Sequence, residues 1–182
     1  MIELRSRKGS DGVVGRATAR RGTPLAGLPP AEARRDTVSG LATRPALMER
    51  LDAALRQAAS AQRGLSVIVF SLDDFARFCA TARHRDAVVA QVARTASRVL
   101  RAGEELFRVG DDEFAVVIAG GAEAGRRVAE RVQATLGAET RGGGLPTISA
   151  GVATFPLDGR GTTDLLTAAD EALSASRQAR TT

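Results

Sequence analysis

Five carboxylates in this chain are spaced as two groups of oxygen donors. Asp73 and Asp74 follow the apolar run Leu65-Ser66-Val67-Ile68-Val69-Phe70, and Asp111, Asp112 and Glu113 follow Gly110 between two further apolar runs. The first run, β-branched and preceded by Gly64, predicts a buried strand. The other two, Glu105 to Val109 and Glu113 to Ile118, are separated by Gly110-Asp111-Asp112 and predict a tight hairpin with an acidic turn. Oxygen ligands from two adjacent strand ends suit a hard cation such as Mg2+, which can bridge nucleotide phosphates. Solvated acidic turns have the same spacing, so spacing alone leaves both readings open.

Other metal and redox chemistry has little to work with. A single cysteine, Cys79, excludes an intramolecular disulfide framework and a Cys-only zinc cluster, and one histidine, His84, excludes a multi-His site. Both residues read more simply as a buried thiol and a packing or capping imidazole. With few cysteines and no apolar stretch behind Met1-Ile2-Glu3-Leu4-Arg5, a secretory signal is not expected and a cytoplasmic location is. No run of about 18 uncharged apolar residues exists, so no membrane span is expected.

Helices must position these strand ends. Leu47, Leu51, Ala54, Leu55 and Ala58 recur at helical spacing from about Pro45 to Ala61, with Pro45 in the first turn. Val88, Val92, Ala96 and Val99 mark a second helix over about 86–100, and Ala124, Val128, Ala129, Val132 and Leu136 a third. Thr147 to Phe155 alternates and predicts a strand; Leu165, Leu166, Ala169, Ala172 and Leu173 predict a last helix capped by Thr162 or Thr163. The order helix, strand, helix, hairpin, helix, strand, helix predicts an α/β fold with helices packed on a mixed sheet.

The 182 residues, 43% of them hydrophobic, suffice for one domain with a core. Charge is uneven: residues 1–35 carry eight basic and three acidic side chains, whereas 36–182 carry 18 of each. A basic, disordered tail or linker is therefore expected over 1–35, too short and polar to form a sensory domain, ahead of a balanced body over 36–182. No aromatic residue interrupts the basic ones, so nucleic-acid binding by base stacking is not indicated.

The stretch Arg108-Val109-Gly110-Asp111-Asp112-Glu113-Phe114 resembles the GGDEF signature of diguanylate cyclases, which condense two GTP into cyclic di-GMP. Asp36-Thr37-Val38-Ser39-Gly40-Leu41-Ala42-Thr43-Arg44 resembles that family's opening D-x-L-T-G-L-x-N-R. Ile148-Ser149-Ala150-Gly151-Val152-Ala153 resembles its S-x-G-V-A strand, and Ala169-Asp170-Glu171-Ala172-Leu173 the A-D-x-A-L of its last helix. The resemblance covers about 36–181 and implies a GGDEF-type, nucleotidyl-cyclase-like fold with a central mixed five-stranded sheet flanked by helices. It implies Asp112 and Glu113 as catalytic acids, Asp112 as a metal ligand, and Gly110, Asp111, Cys79, Asp86 and Arg177 at nucleotide-binding positions. Arg101 and Glu104 match its R-x-x-D site for a regulatory cyclic di-GMP dimer, Glu104 with one methylene more.

Departures fall where that family does its chemistry. Its strand-end motif D-(I/L)-D-x-F-K reads Ser71-Leu72-Asp73-Asp74-Phe75-Ala76 here, so Ser71 replaces a metal-binding aspartate and Ala76 a cation. A neutral hydroxyl is a poor Mg2+ ligand beside carboxylates; Asp73, two residues on, is the candidate substitute. Cys79 replaces the guanine-reading asparagine, and two residues are missing before Asp86. Asp111 replaces a glycine that lets backbone approach the triphosphate, adding negative charge beside phosphates. The sequence therefore predicts a degenerate, catalytically impaired GGDEF domain acting as a protein- or nucleotide-binding module in bacterial cyclic di-GMP signalling. Weak Mg2+, GTP or cyclic di-GMP binding and a homodimer are compatible with it. The alternatives are an active diguanylate cyclase, and an adaptor whose basic tail binds nucleic acid or a membrane surface.

Overall fold

A computed structural model describes residues 35–181. The predicted tail lies outside the described residues except for Arg35, which bridges to Ala42 and donates from Nη1 to the Gly40 carbonyl at 2.9 Å. Five strands and five helices follow: β1 (Ala42–Thr43), α1 (Arg44–Ser60), β2 (Leu65–Leu72), α2 (Phe75–Phe78), α3 (Ala82–Val99), β3 (Glu105–Arg108), β4 (Glu113–Ala119), α4 (Ala122–Arg141), β5 (Ile148–Phe155) and α5 (Thr162–Thr181). They form one mixed sheet in the order β1-β3-β4-β2-β5, with β1 parallel to β3 and every other pair antiparallel.

The strand Leu65–Leu72 is buried along its whole length, as its mainly apolar run requires of a central strand covered on both sides, with Ser66 and Ser71 its two buried polar residues. Alternate residues feed two separate cores. Ile68, Phe70, Phe114, Val116 and Ile148 pack with α3 and α4, while Val67, Val69, Ala115, Val117 and Ala153 pack with α1 and α5. Register then fixes the chemistry of the sheet's end. Ser71 pairs with Glu113 on one side and Ser149 on the other, and paired residues project from the same face, so all three lie on the α1/α5 face.

Two glycines let helices approach the sheet closely, one from each side. A Cβ on Gly151 of β5 would lie 2.1 Å from the Ala169 carbonyl oxygen and 2.3 Å from Leu173 N, so α5 rests backbone to backbone on the strand. A Cβ on Gly125 of α4 would lie 2.8 Å from Val152 Cγ1.

The structure shifts several predicted boundaries. The helix expected from Asp86 begins at Ala82, because the Thr81 hydroxyl accepts from His84 N–H at 3.2 Å and caps four further residues. Thr162 does not cap the last helix. It begins that helix, and the Asp164 carboxylate instead accepts from Gly161 N–H at 3.0 Å, placing a negative charge where the free N–H groups and helix dipole favour it. The elements β1 and α2, of two and four residues, were not predicted.

Candidate active site

The predicted hairpin turn is built around Arg108. Val109 and Gly110 both donate backbone N–H groups to the Glu113 carbonyl, at 2.9 and 3.2 Å. Arg108 reaches over this loop, donating to the Gly110 and Asp111 carbonyls at 3.2 Å each, and to both carboxylate oxygens of Asp36 at 2.8 Å. Asp36 is in turn held by the backbone N–H and hydroxyl of Ser39, at 2.7 and 2.6 Å. Burial raises the Asp36 pKa, but the Ser39 hydroxyl, the Arg108 guanidinium and the Ser39 N–H more than offset it and bring it to about 2. One arginine thus ties the turn at Asp36–Ser39 to the acidic loop. Gly110 has little room for a side chain, since a Cβ there would lie 3.1 Å from Glu113 Oε2.

Beside this loop the end of β2 brings the other carboxylates in. Leu72 N–H donates to the Asp112 carbonyl at 3.0 Å, continuing the β2–β4 ladder past its last pair. The Ser71 hydroxyl, fully buried, donates to Asp112 Oδ2 at 3.2 Å and accepts a hydrogen bond from Arg177 Nη2 of α5. Asp73 turns toward β5 and α5: Thr147 Oγ1 donates to its Oδ2 at 2.9 Å, Arg177 Nε stands 3.9 Å from Oδ1 and Arg180 Nε 3.8 Å from Oδ2. Glu113 is half-buried and its carboxyl is pushed up by that burial and then by the charges of Asp112 and Asp170, against a smaller opposing pull from Arg177 and Arg44.

Of the residues singled out from sequence, Ser71, Asp73, Asp112, Glu113 and Arg177 are brought together here. Asp111 is exposed, engaged through its carbonyl. Cys79 is not at this surface. It is 1% exposed within the α3/α4 core, and burial raises its thiol pKa, so the base contact expected of it has no open edge to use. Asp86 is exposed on α3, just past its first turn. Arg101 and Glu104 form a separate corner, where Glu104 Oε2 accepts the Arg101 backbone N–H at 2.7 Å and pairs with Arg131 of α4. The Arg101 side of that corner is exposed. Sequence reasoning missed Arg131, Thr147 and Arg180. Only Arg180 carried a signal, lying three residues after Arg177 on one helix face.

Mg2+ takes oxygen ligands in near-octahedral array at about 2.0–2.1 Å. Among the described residues no three His, Cys, Asp or Glu side chains converge in that way. The available oxygens of Asp73 and Asp112 face a guanidinium, a threonine hydroxyl and a serine hydroxyl, so this donor set does not fit the metal that the fold implies.

A family profile described as "Diguanylate cyclase, GGDEF domain" matches residues 33–182. The chain belongs to the GGDEF domain family. Its sheet and flanking helices superpose with a TM-score of 0.71 on the crystal structure of a sensory box/GGDEF family protein from Caulobacter crescentus, at 31% identity, over 80% of this chain and 99% of that one. The GGDEF domain of DgcB from the same organism, solved in complex with c-di-GMP, matches at 26% identity and a TM-score of 0.69, over 81% of this chain and 91% of that one. A signalling protein of Caulobacter vibrioides is 35% identical over 153 residues, 78% of this chain. The chain spans 18% and 33% of the lengths of the two curated relatives that it matches. Among the described residues no helix is long and apolar enough to cross a membrane.

Proposed function

We propose that this GGDEF domain is catalytically impaired and serves as a protein- or nucleotide-binding module in cyclic di-GMP signalling. The observation that carries the reading is Ser71. At the strand-end position where the family motif has an acid, a buried hydroxyl donates to Asp112 and supplies no negative charge of its own. Transition-state stabilisation in phosphoryl transfer rests on correctly placed charge, so the loss of one ligand compounds with the added charge of Asp111 in the turn, while the buried Cys79 offers no edge to a base.

A cytoplasmic location, a protein partner and a homodimer belong to this reading, as does dinucleotide binding at Arg101. The last is favoured by the corner at Glu104, whose carboxylate is already oriented by Arg131 and the Arg101 N–H, leaving the Arg101 side chain exposed. The DgcB domain's complex with c-di-GMP supplies the ligand class.

The test is incubation of the protein at high concentration with GTP and Mg2+ or Mn2+, with chromatographic detection of cyclic di-GMP. The expected result is no product from a folded protein, together with a calorimetric signal for cyclic di-GMP that Arg101→Ala removes. Turnover that disappears in Asp112→Ala would make the chain an active diguanylate cyclase instead. Salt-sensitive association with nucleic acid or anionic vesicles that is lost on deleting residues 1–35 would favour the adaptor reading.

A further inference from the structure

Arg177 has an unusual position. It arises from α5, yet its guanidinium lies among the oxygens at the end of β2, donating from Nη2 to Ser71 and standing 3.9 Å from Asp73 Oδ1 through Nε. Ser71 passes this polarity on, because a hydroxyl that accepts from a cation donates to Asp112 Oδ2 at 3.2 Å. Two carboxylates, Asp73 directly and Asp112 through Ser71, therefore face one positive group of the chain itself. Arg180 adds a second contact to Asp73 at 3.8 Å.

We infer that Arg177 is the resident cation of this site: its guanidinium takes the place of a divalent metal, neutralises Asp73 and Asp112 from within the chain, and makes the folded site independent of Mg2+. Ser71 is what permits it. An aspartate at that position would add a further negative charge to the cluster and suit a divalent ion, whereas the neutral hydroxyl both accepts from the guanidinium and donates to Asp112. Arginine suits the role because it stays protonated at every physiological pH and its planar fork reaches two acceptors at once. Arg177 acts here as a positioning residue; no substrate contact is assigned to it.

The inference deepens the binding-module reading and rests on the same cluster of residues. Its test contains neither nucleotide nor partner, so the two can fail separately. Mn2+ would be titrated into the full chain and free Mn2+ read by electron paramagnetic resonance. The wild-type protein is expected to show no saturable site below about 1 mM. Arg177→Met, with its fold checked by circular dichroism, should bind Mn2+ at least about tenfold more tightly. An Arg177→Met protein that stays folded and gains no Mn2+ affinity overturns the inference, as does wild-type binding that Asp112→Asn abolishes. Should Arg177→Met not fold, the wild-type Arg177 Nε–H resonance decides. Resistance of that signal to Mn2+ broadening, with a shift on Asp112→Asn, supports the resident cation; broadening that Asp112→Asn prevents refutes it.

Discussion

Arg108 and Arg177 both hold carboxylates at the same end of the sheet, in opposite circumstances. Arg108 and Asp36 are 16% and 20% exposed, form a fork with two bonds of 2.8 Å, and leave neither charge without a counterpart. Arg177 is 41% exposed and is shared between Asp73 and Ser71, with Arg180 a second cation at Asp73. The first arrangement is structural: geometry is good enough to offset the loss of hydration, and each partner stabilises the other. The second is looser and more open to water, an ion pair at 3.9 Å and a single hydroxyl in place of a two-bond fork. Their pKa directions report the same contrast, downward for Asp36 and upward for Glu113.

The sharpest way to break the comparison is to move the second arginine without touching the first. Gly151→Ala forces a methyl group into the α5 backbone and should destabilise the fold by about 3 kcal/mol or more in denaturant titrations. A neutral outcome would mean that α5 is not seated where the close contact puts it. Next in size, Arg108→Ala strands the half-buried Asp36 carboxylate and releases two loop carbonyls, an expected loss of about 2 kcal/mol, whereas Arg177→Ala should cost under about 1 kcal/mol because its pairs are half open to water. Equal losses would erase the distinction between latch and site.

Acid should separate the two further. Asp36 titrates at about 2 when folded against 3.8 when free, so its contribution is complete above pH 4 and is lost as pH falls through that window; Asp36→Asn should flatten this part of the stability profile. Glu113 works in the reverse sense, since a raised carboxyl pKa costs stability as pH rises through it. The smallest effect sharpens that point. Asp112→Asn removes the second cause of the upward shift, and the Glu113 carboxyl, followed by carbon-detected NMR, should titrate lower while Asp36 stays unchanged. An unmoved Glu113 would place its perturbation in burial and the Asp170 charge.

The frame of this molecule was legible in its sequence where a residue pattern has one physical reading. The run from Leu65 and the hairpin around Gly110 gave their strands because apolar residues there have no other use. The dispersed motifs gave the family and its mixed five-stranded sheet, which the structure and its relatives share. Short elements were not legible: α2 has four residues and β1 two, below the length at which periodicity exists. The start of α3 was hidden because Ala82 to Arg85 are exposed and carry no apolar stripe, so only the Thr81 hydroxyl marks it. In the site, residue identities were readable but their couplings were not. Ser71 and Arg177 are 106 positions apart and Asp36 and Arg108 72, distances over which no local rule operates. That Cys79 is a buried thiol was readable from its residue type, whereas the way α2 turns the chain inward after Asp74 was not.

The contact at Gly151 has a mechanical meaning as well. Where two backbones meet without an intervening side chain there is nothing soft between them, and a tightly packed junction transmits displacement instead of absorbing it. The helix therefore has a fulcrum near Ala169 and Leu173, and Arg177 sits about 6 Å farther along its axis, with Arg180 beyond. Asp170, Glu171 and Ser174 are exposed around that pivot. Because that junction is unyielding, the seat of α5 on β5 also sets where both guanidinium groups stand at the sheet's end.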